Sequence, residues 1–474
     1  MSYNLKDILA NCIEKFGADE YVFEKKDGRY ISVSYAEFVG HVRGFAGFLQ
    51  AEGLTGSRIA MYSENSCDYM IADAAIMAYV GISVSFSKEW KLYDLRNAAE
   101  MIKPAAILYS VSKQEVIGEL KKEFPDIRYI PLEKARAASQ PLLYENAVDP
   151  RECSKMIFSS GTTGIPKCVM LSQENMFANW ASLIKRTPFD HTDASYLFLP
   201  LSHTYGGICN FLYSLICGMR IYLCSSTDKM MEELQEVKPT LFCAVPLIYE
   251  RIYKACLESG ASPVSLLGGN VRYLFSGGAP FSPEIRKFLK SAGLNLLEAY
   301  GLSETSSLIS AEYSNSDDFT SAGTILENIS AKVISPDENG IGEIAVKGGN
   351  VFLGYYGNEE LTRASKDEDG YFRTGDMGRI DNGKLYITGR KKRVILLSNG
   401  ENIYPEDIEK LICSFSGINK VKVFERDRKL IAAAFTSTKL DEAGLMAEIN
   451  AKLPNYSRIS EMELIPDEIG ARIK

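Results

Sequence analysis

Two apolar runs flank a short segment dense in serine, threonine and glycine: Met156-Ile-Phe-Ser-Ser-Gly-Thr-Thr-Gly-Ile-Pro-Lys-Cys-Val-Met170. Runs of this length, rich in Ile, Phe, Val and Met, read as buried strands, and the polar middle reads as the loop between them. Gly161 and Gly164 let the loop turn its backbone N–H groups toward one point. Ser159, Ser160, Thr162 and Thr163 add hydroxyls, and Lys167 adds a mobile positive charge. These are the parts that hold a polyphosphate. The spacing differs from the G-x-x-x-x-G-K-[ST] form of the P-loop. A Ser/Gly-rich surface hairpin has the same composition, so the stretch alone leaves both readings open.

The rest of the chain supplies more strands that end in small-residue loops. Val271–Phe275 runs into Ser276-Gly277-Gly278-Ala279-Pro280, and Asn295–Ala299 runs into Tyr300-Gly301-Leu302-Ser303-Glu304-Thr305. Ala194–Leu201 runs into Ser202-His203-Thr204-Tyr205-Gly206-Gly207. Such endings predict one sheet with a ligand at its carboxyl edge. Tyr300 has a face for a base, Ser303 a hydroxyl for a phosphate, and Glu304 a carboxylate for Mg²⁺; each also has an ordinary explanation as loop chemistry. His203 reads equally as a pocket residue and as a histidine packed at a strand end. Upstream, Tyr35–Glu52 and Tyr69–Tyr79 have helical spacing, while Arg58–Tyr62 and Ala105–Tyr109 read as strands. This alternation favours layered α/β architecture. Glu174–Lys185 is expected to be one helix. Beyond residue 323, Ala331–Ile334, Gly342–Val346 and Lys384–Ile387 predict a β-rich subdomain. After the basic run Gly389–Arg393, read as a solvated face or a linker, a small α+β alternation follows: helix Pro405–Ser414, strands Val421–Phe424 and Leu430–Phe435, helix Leu440–Leu453, strand Met462–Ile465.

Composition narrows the function classes. The 474 residues carry a formal net charge of −8, which argues against general nucleic-acid binding. Ten cysteines without C-x-x-C pairs, and three histidines, argue against a zinc site. The polar N-terminus suits a helix start rather than a targeting segment, so reduced thiols and a cytoplasmic location are expected. The apolar stretches 71–86 and 207–224 contain Asp73, Asn210, Gly218 and Arg220. They read as buried elements rather than transmembrane spans.

Four motifs in order then point to a family: Ser159-Ser-Gly-Thr-Thr-Gly-Ile-Pro-Lys167, Tyr300-Gly-Leu-Ser-Glu-Thr305, Tyr371-Phe-Arg-Thr-Gly-Asp376, and Gly389-Arg-Lys-Lys392 followed by Asn399-Gly-Glu-Asn-Ile-Tyr-Pro-Glu-Asp-Ile-Glu409. Nearly the whole chain resembles the adenylate-forming (AMP-binding) superfamily of acyl-CoA synthetases, adenylation domains and luciferases. The resemblance implies an α/β fold: a large N-terminal domain (1–390) of layered sheets plus the β-rich subdomain. A small mobile α+β domain (391–474) follows, with its hinge near Lys392 and the site between the two. It also implies the chemistry. A carboxylate attacks the α-phosphate of Mg²⁺-ATP to give an acyl-adenylate and pyrophosphate, and a thiol, most often of CoA, then displaces AMP. Residues 159–164 and Lys167 would form a loop over the β- and γ-phosphates. Gly278, Ala279 and Pro280 would line the adenine, with Tyr300 and Gly301 against it. Ser303 would lie near the α-phosphate, Glu304 would hold Mg²⁺, Asp376 and Arg390 would bind the ribose, and His203 would stand beside the acyl group. Leu199–Tyr205 and Val245–Arg251 look most like the long-chain acyl-CoA synthetases, which implies a fatty acid substrate. The depth of the acyl pocket would rest on Trp180–Lys185, His203–Cys209 and Ser276–Pro280.

Three places depart from the family pattern. Cys168 follows the loop lysine where glycine is usual, and the prolines that often follow Gly323 are absent. At the C-terminus, Arg472 aligns with a lysine that bridges carboxylate and α-phosphate. Arginine keeps the charge but is wider and planar, so a slow or specialised adenylation step is expected. Two alternatives to CoA ligation stand beside it: an adenylating ligase that loads an acyl or peptidyl carrier protein, and a degenerate nucleotide-binding homologue.

Overall fold

The serine- and glycine-rich stretch is bounded by strands, as its apolar runs require. Cys153–Ser159 and Lys167–Ser172 pair antiparallel, with Phe158 opposite Cys168 and Ser159 opposite Lys167. The computed structural model describes residues 4–146, 148–159, 167–313, 316–393, 395–396, 402–403, 405–426, 429–438, 440–453 and 457–466. By packing, residues 1–330 with 346–372 form one compact unit, and residues 331–345 with 373–474 form another.

The first unit holds two sheets. In the seven-stranded one, Arg58–Tyr62, Ile82–Ser85, Ala106–Tyr109, Arg128–Pro131 and Cys153–Ser159 run parallel. Lys167–Ser172 and then the short strand Gly354–Tyr355 extend it antiparallel. Ala60, Val84, Ile107 and Met156 supply its apolar face, and helices Leu92–Ile102 and Gln114–Glu123 bury Leu95, Ile102, Ile117 and Leu120 in the same core. In the other sheet Glu20–Lys26, Arg220–Leu223, Ala194–Leu197, Leu241–Ala244, Tyr273–Ser276 and Asn295–Tyr300 run parallel. All their carboxyl ends therefore share one edge. From Ala194–Leu197 the chain goes first to the neighbour on one side and then to the neighbour on the other. A crevice opens at such a reversal of strand order.

The two long apolar stretches are short buried elements. Residues 71–86 comprise the end of helix Cys67–Ala75, the π-helical Ile76–Val80 and strand Ile82–Ser85. Residues 207–224 comprise the π-helical Tyr205–Leu212, helix Tyr213–Cys217 and strand Arg220–Leu223. Among the described residues no helix is long and apolar enough to cross a membrane. Asp73 is buried against Lys155 at 2.7 Å and accepts from the Ser83 hydroxyl at 2.5 Å. The pair ties helix Cys67–Ala75 to the strand that delivers Ser159.

One expectation needs correction. The single helix over 174–185 is two, Gln173–Phe177 and Trp180–Arg186. Between them Asn179 is buried, with its amide donating to the Leu308 carbonyl at 2.9 Å. A polar residue that satisfies itself in the core competes with continuous helix.

In the second unit, strands Phe372–Asp381 and Lys384–Arg390 form an antiparallel hairpin with Asp376 opposite Arg390. Strands Ile418–Arg426 and Lys429–Thr436 pair antiparallel, and Glu461–Pro466 adds parallel. Helices Pro405–Cys413 and Glu442–Lys452 complete the α+β alternation, around a core that includes Ile408, Ile412, Val421, Leu430, Ile449 and Met462.

Candidate active site

At the carboxyl edge of the larger parallel sheet two loops come close together. Strand Tyr273–Ser276 ends in Gly277, where a Cβ would lie 3.1 Å from the Ala299 carbonyl oxygen, and Gly278, whose φ of +84° favours glycine. Gly278, Ala279 and Pro280 are exposed, and the buried Ser276 hydroxyl has no partner among the described residues. Strand Asn295–Tyr300 ends in Gly301, where a Cβ would meet the Ser307 carbonyl oxygen at 2.1 Å. The chain then makes the short turn Ser303–Thr305 and passes through Ser306 and Ser307 at φ of +50° and +84°. Non-glycine residues held there store about 1–3 kcal/mol each. Asn350 holds the turn in place: its amide donates to the Thr305 and Leu308 carbonyls at 3.2 and 2.8 Å, and its own carbonyl accepts from Ser306 at 3.0 Å. Ser303 and Glu304 thus sit on a fixed turn rather than a free loop.

The smaller sheet brings Lys167 to the same place. Tyr355 pairs with Val169, and the Tyr356 amide donates to the Cys168 carbonyl at 2.8 Å. The Lys167 ammonium lies 5.0 Å from the centre of the Tyr355 ring, and the Tyr355 hydroxyl donates to Glu304 Oε1 at 2.9 Å. Two residues singled out from sequence, Lys167 and Glu304, are joined through one that was not. The Cys168 side chain, unusual for its position, is buried in the core of this sheet.

His203 lies on the loop after Ala194–Leu197, with its Nδ1 accepting from the Tyr205 amide at 3.2 Å. It keeps an exposed face, yet enough protein surrounds the imidazole to lower its pKa from 6.5 by desolvation. Tyr205 turns inward and donates to the Phe275 carbonyl at 3.0 Å. Beside it opens a slot lined by Trp180, Leu183, Tyr205, Cys209, Tyr213, Cys217, Met219, Phe275 and Ala299. The slot is narrow. Its lining is almost wholly apolar. Burial pushes the Cys209 and Cys217 thiols up to about 12, so they remain protonated and act as wall. Of the three expected pocket segments, Trp180–Lys185 contributes Trp180, Leu183 and Ile184 to the slot, His203–Cys209 contributes Tyr205 and Cys209, and Ser276–Pro280 contributes none of its lining. Tyr213, Cys217 and Met219 were not legible as lining, although spacing by four from Tyr205 through Cys209 to Tyr213 and Cys217 was a usable signal.

In the second unit Arg390 Nε pairs with Asp376 Oδ1 at 2.8 Å, the aspartate buried and the arginine half exposed. The basic run is not a plain solvated face. Lys391 pairs with Glu343 at 2.7 Å and Arg393 with Glu409 at 2.6 Å. Ser160, Gly161, Thr162, Thr163, Gly164 and Arg472 lie outside the described residues, as does the side chain of Lys392.

Residues 10–356 match the family model described as AMP-binding enzyme. The chain belongs to this family. Among relatives of this AMP-binding enzyme is long chain acyl-CoA synthetase 7, peroxisomal, of Arabidopsis thaliana. It is 27% identical over 489 residues, with 85% of this chain and 69% of the relative covered. The long-chain-fatty-acid–CoA ligase ACSBG2 of Gallus gallus is 26% identical over 484 residues, with 85% and 63% covered. The chain therefore spans about two thirds of the length of these relatives. Among solved structures, ATP-bound MatB from Rhodopseudomonas palustris superposes with a TM-score of 0.87 at 25% identity, covering 98% of this chain and 95% of that one.

The residues present fit the nucleotide and metal that the family implies. Gly278, Ala279 and Pro280 are exposed, a Cβ at Gly278 would meet nothing nearer than Val245 at 3.9 Å, and the buried Ser276 hydroxyl is an unused donor at the same edge. Glu304 has hard carboxylate oxygens of the kind Mg²⁺ takes, and Lys167 carries a positive charge that would suit phosphate.

Proposed function

We propose that this AMP-binding enzyme activates a carboxylic acid with an apolar tail, a fatty acid above all, and passes it to CoA. In the first step a carboxylate oxygen bonds to the α-phosphorus of ATP, the bond to the bridging oxygen breaks, and pyrophosphate leaves. In the second step the CoA thiolate attacks the acyl carbon and AMP leaves with the bonding electrons. Lys167 would neutralise charge on the β- and γ-phosphates, and Ser303 would donate near the α-phosphate. Gly278, Ala279, Pro280 and Tyr300 would hold the adenine, Asp376 and Arg390 the ribose, and His203 would flank the acyl head. Mg²⁺ held by Glu304 would offset phosphate charge. A hinge near Lys392 and a cytoplasmic location complete the reading.

The observation that carries it is the slot. Ala299 and Phe275, the chain neighbours of Tyr300 and Ser276, line it, so an acid whose head lies at the sheet edge has an apolar, narrow place for its tail. Narrowness favours an extended unbranched chain over a ring. The test is pyrophosphate release across straight-chain acids of increasing length, followed by thioester formation with CoA or with a phosphopantetheinylated carrier protein. Release with polar short acids alone would overturn the substrate class, and thioester on the carrier alone would overturn CoA as acceptor. Cys209→Trp is expected to fill the slot and lower kcat/KM for the longest acids by about 10–100-fold while sparing short ones, since each methylene contact is worth about 1–3 kcal/mol. Arg472→Lys is expected to raise ATP–pyrophosphate exchange with the true substrate; a fall would show that Arg472 is not a weakened lysine.

A further inference from the structure

Segment 352–356 is tied to both halves of the phosphate site. Its Phe352 amide donates to the Glu304 carbonyl at 2.8 Å, and its Tyr356 amide donates to the Cys168 carbonyl at 2.8 Å. Gly354 and Tyr355 pair with Met170 and Val169, and the Tyr355 amide donates to Thr362 Oγ1 at 2.9 Å. The Phe352 and Tyr355 rings meet edge to face at 4.8 Å. Tyr355 is therefore fixed by its backbone before its side chain does anything. The side chain then reaches two charged groups: its hydroxyl donates to Glu304 Oε1, and its face receives the Lys167 ammonium. Among the described residues Tyr355 is the hydrogen-bond partner of the Glu304 carboxylate.

We propose that Tyr355 is a positioning residue for adenylation, holding the Glu304 carboxylate by Oε1 so that Oε2 would be left for the metal, and giving Lys167 a resting place on its ring until phosphate arrives. The proposal rests on the reading of Glu304 as metal ligand and Lys167 as phosphate ligand. A direct lysine–carboxylate pair would consume both charges, and the tyrosine provides each with a weaker partner instead. A cation on an aromatic face at a partly exposed site is held loosely enough to be released to a polyphosphate. A second hydrogen bond to a ligating carboxylate sets its orientation, and loss of such a partner typically costs about 10–100-fold in metal affinity.

The test uses the full chain and two readouts other than turnover. One is the free Mg²⁺ needed for half-maximal binding of adenosine 5′-(β,γ-imido)triphosphate, followed by calorimetry. The other is the acetylation rate of Lys167 by acetic anhydride in the nucleotide-free protein, followed by mass spectrometry. Tyr355→Phe keeps the ring and removes the hydroxyl. It is expected to raise the Mg²⁺ midpoint about tenfold and to leave Lys167 acetylation and the melting transition as in the parent. Tyr355→Leu is expected to raise both the midpoint and the acetylation rate. A parental midpoint in Tyr355→Phe, with a raised one in Glu304→Gln, overturns the proposal while sparing the metal reading of Glu304. A parental midpoint in Glu304→Gln overturns that reading and the proposal with it. Shifts that follow only a lowered melting temperature in both tyrosine variants reduce Tyr355 to a structural role and also overturn it.

Discussion

Lys167→Ala is expected to lower ATP–pyrophosphate exchange by about 10²–10³-fold, the usual cost of removing one preorganised charged donor from a water-poor site. The lysine opens strand Lys167–Ser172 opposite Ser159 and keeps part of its surface in solvent, so its loss leaves the strand pairing and the core intact. The melting transition is therefore expected to stay in place, and the nucleotide concentration for half-maximal exchange to rise with the loss of rate. Lys167→Arg is expected to recover part of the rate, because the charge returns on a planar fork that delivers it less compactly than an ammonium. Exchange in the alanine variant within a few-fold of the parent would remove Lys167 from the phosphate site.

Asp73→Ala is expected to destabilise the first unit by about 3–5 kcal/mol, because it leaves the Lys155 ammonium buried without its counter-charge. Both side chains are 1% exposed, and Asp73 meets Lys155 Nζ with both carboxylate oxygens, at 2.8 and 2.7 Å. Asp73→Leu combined with Lys155→Met is expected to restore most of the loss, since apolar groups of similar volume carry no desolvation cost. Denaturant midpoints of the single and double variants check this, and a single variant as stable as the parent would falsify it. Exchange activity should follow the folded fraction alone, because the pair fixes a strand rather than touching substrate.

Element type was legible wherever local pattern and tertiary role agreed. Arg58–Tyr62 is a strand over the expected residues, and helix Tyr35–Ala51 begins at the capping box of Ser34 and Glu37. The loops after Ser276 and Tyr300 were legible because glycine is required at 278 and 301 for separate reasons, a left-handed backbone and a close approach. Tyr355 was not legible. Its partners stand 51 and 188 residues away, at Glu304 and Lys167, and nothing in Gly354-Tyr-Tyr356 marks the hydroxyl as functional. The break at Asn179 was missed for the same reason, since only Leu308 and Asn328 show why that amide leaves the helix. Contacts of this kind are made by the fold and leave no period in the sequence.

The π-helical Tyr205–Leu212 sets the phase of one wall of the slot. In an α-helix, residues four apart advance by about 40° around the axis, so Tyr205, Cys209, Tyr213 and Cys217 would fan across about 120°. Wider π turns take more residues per revolution and swing the same series backward before helix Tyr213–Cys217 swings it forward. The opposite drifts offset one another, and all four side chains reach the same slot. Gly206 and Gly207 let the segment lie against the preceding loop, because a Cβ at either would run into the carbonyls of Pro200 and Leu201. The wall is therefore tuned by residue count as well as residue type. One residue added between 205 and 212, beyond what the wide turns already take up, would turn everything after it by about 100° and carry Tyr213 and Cys217 off the slot.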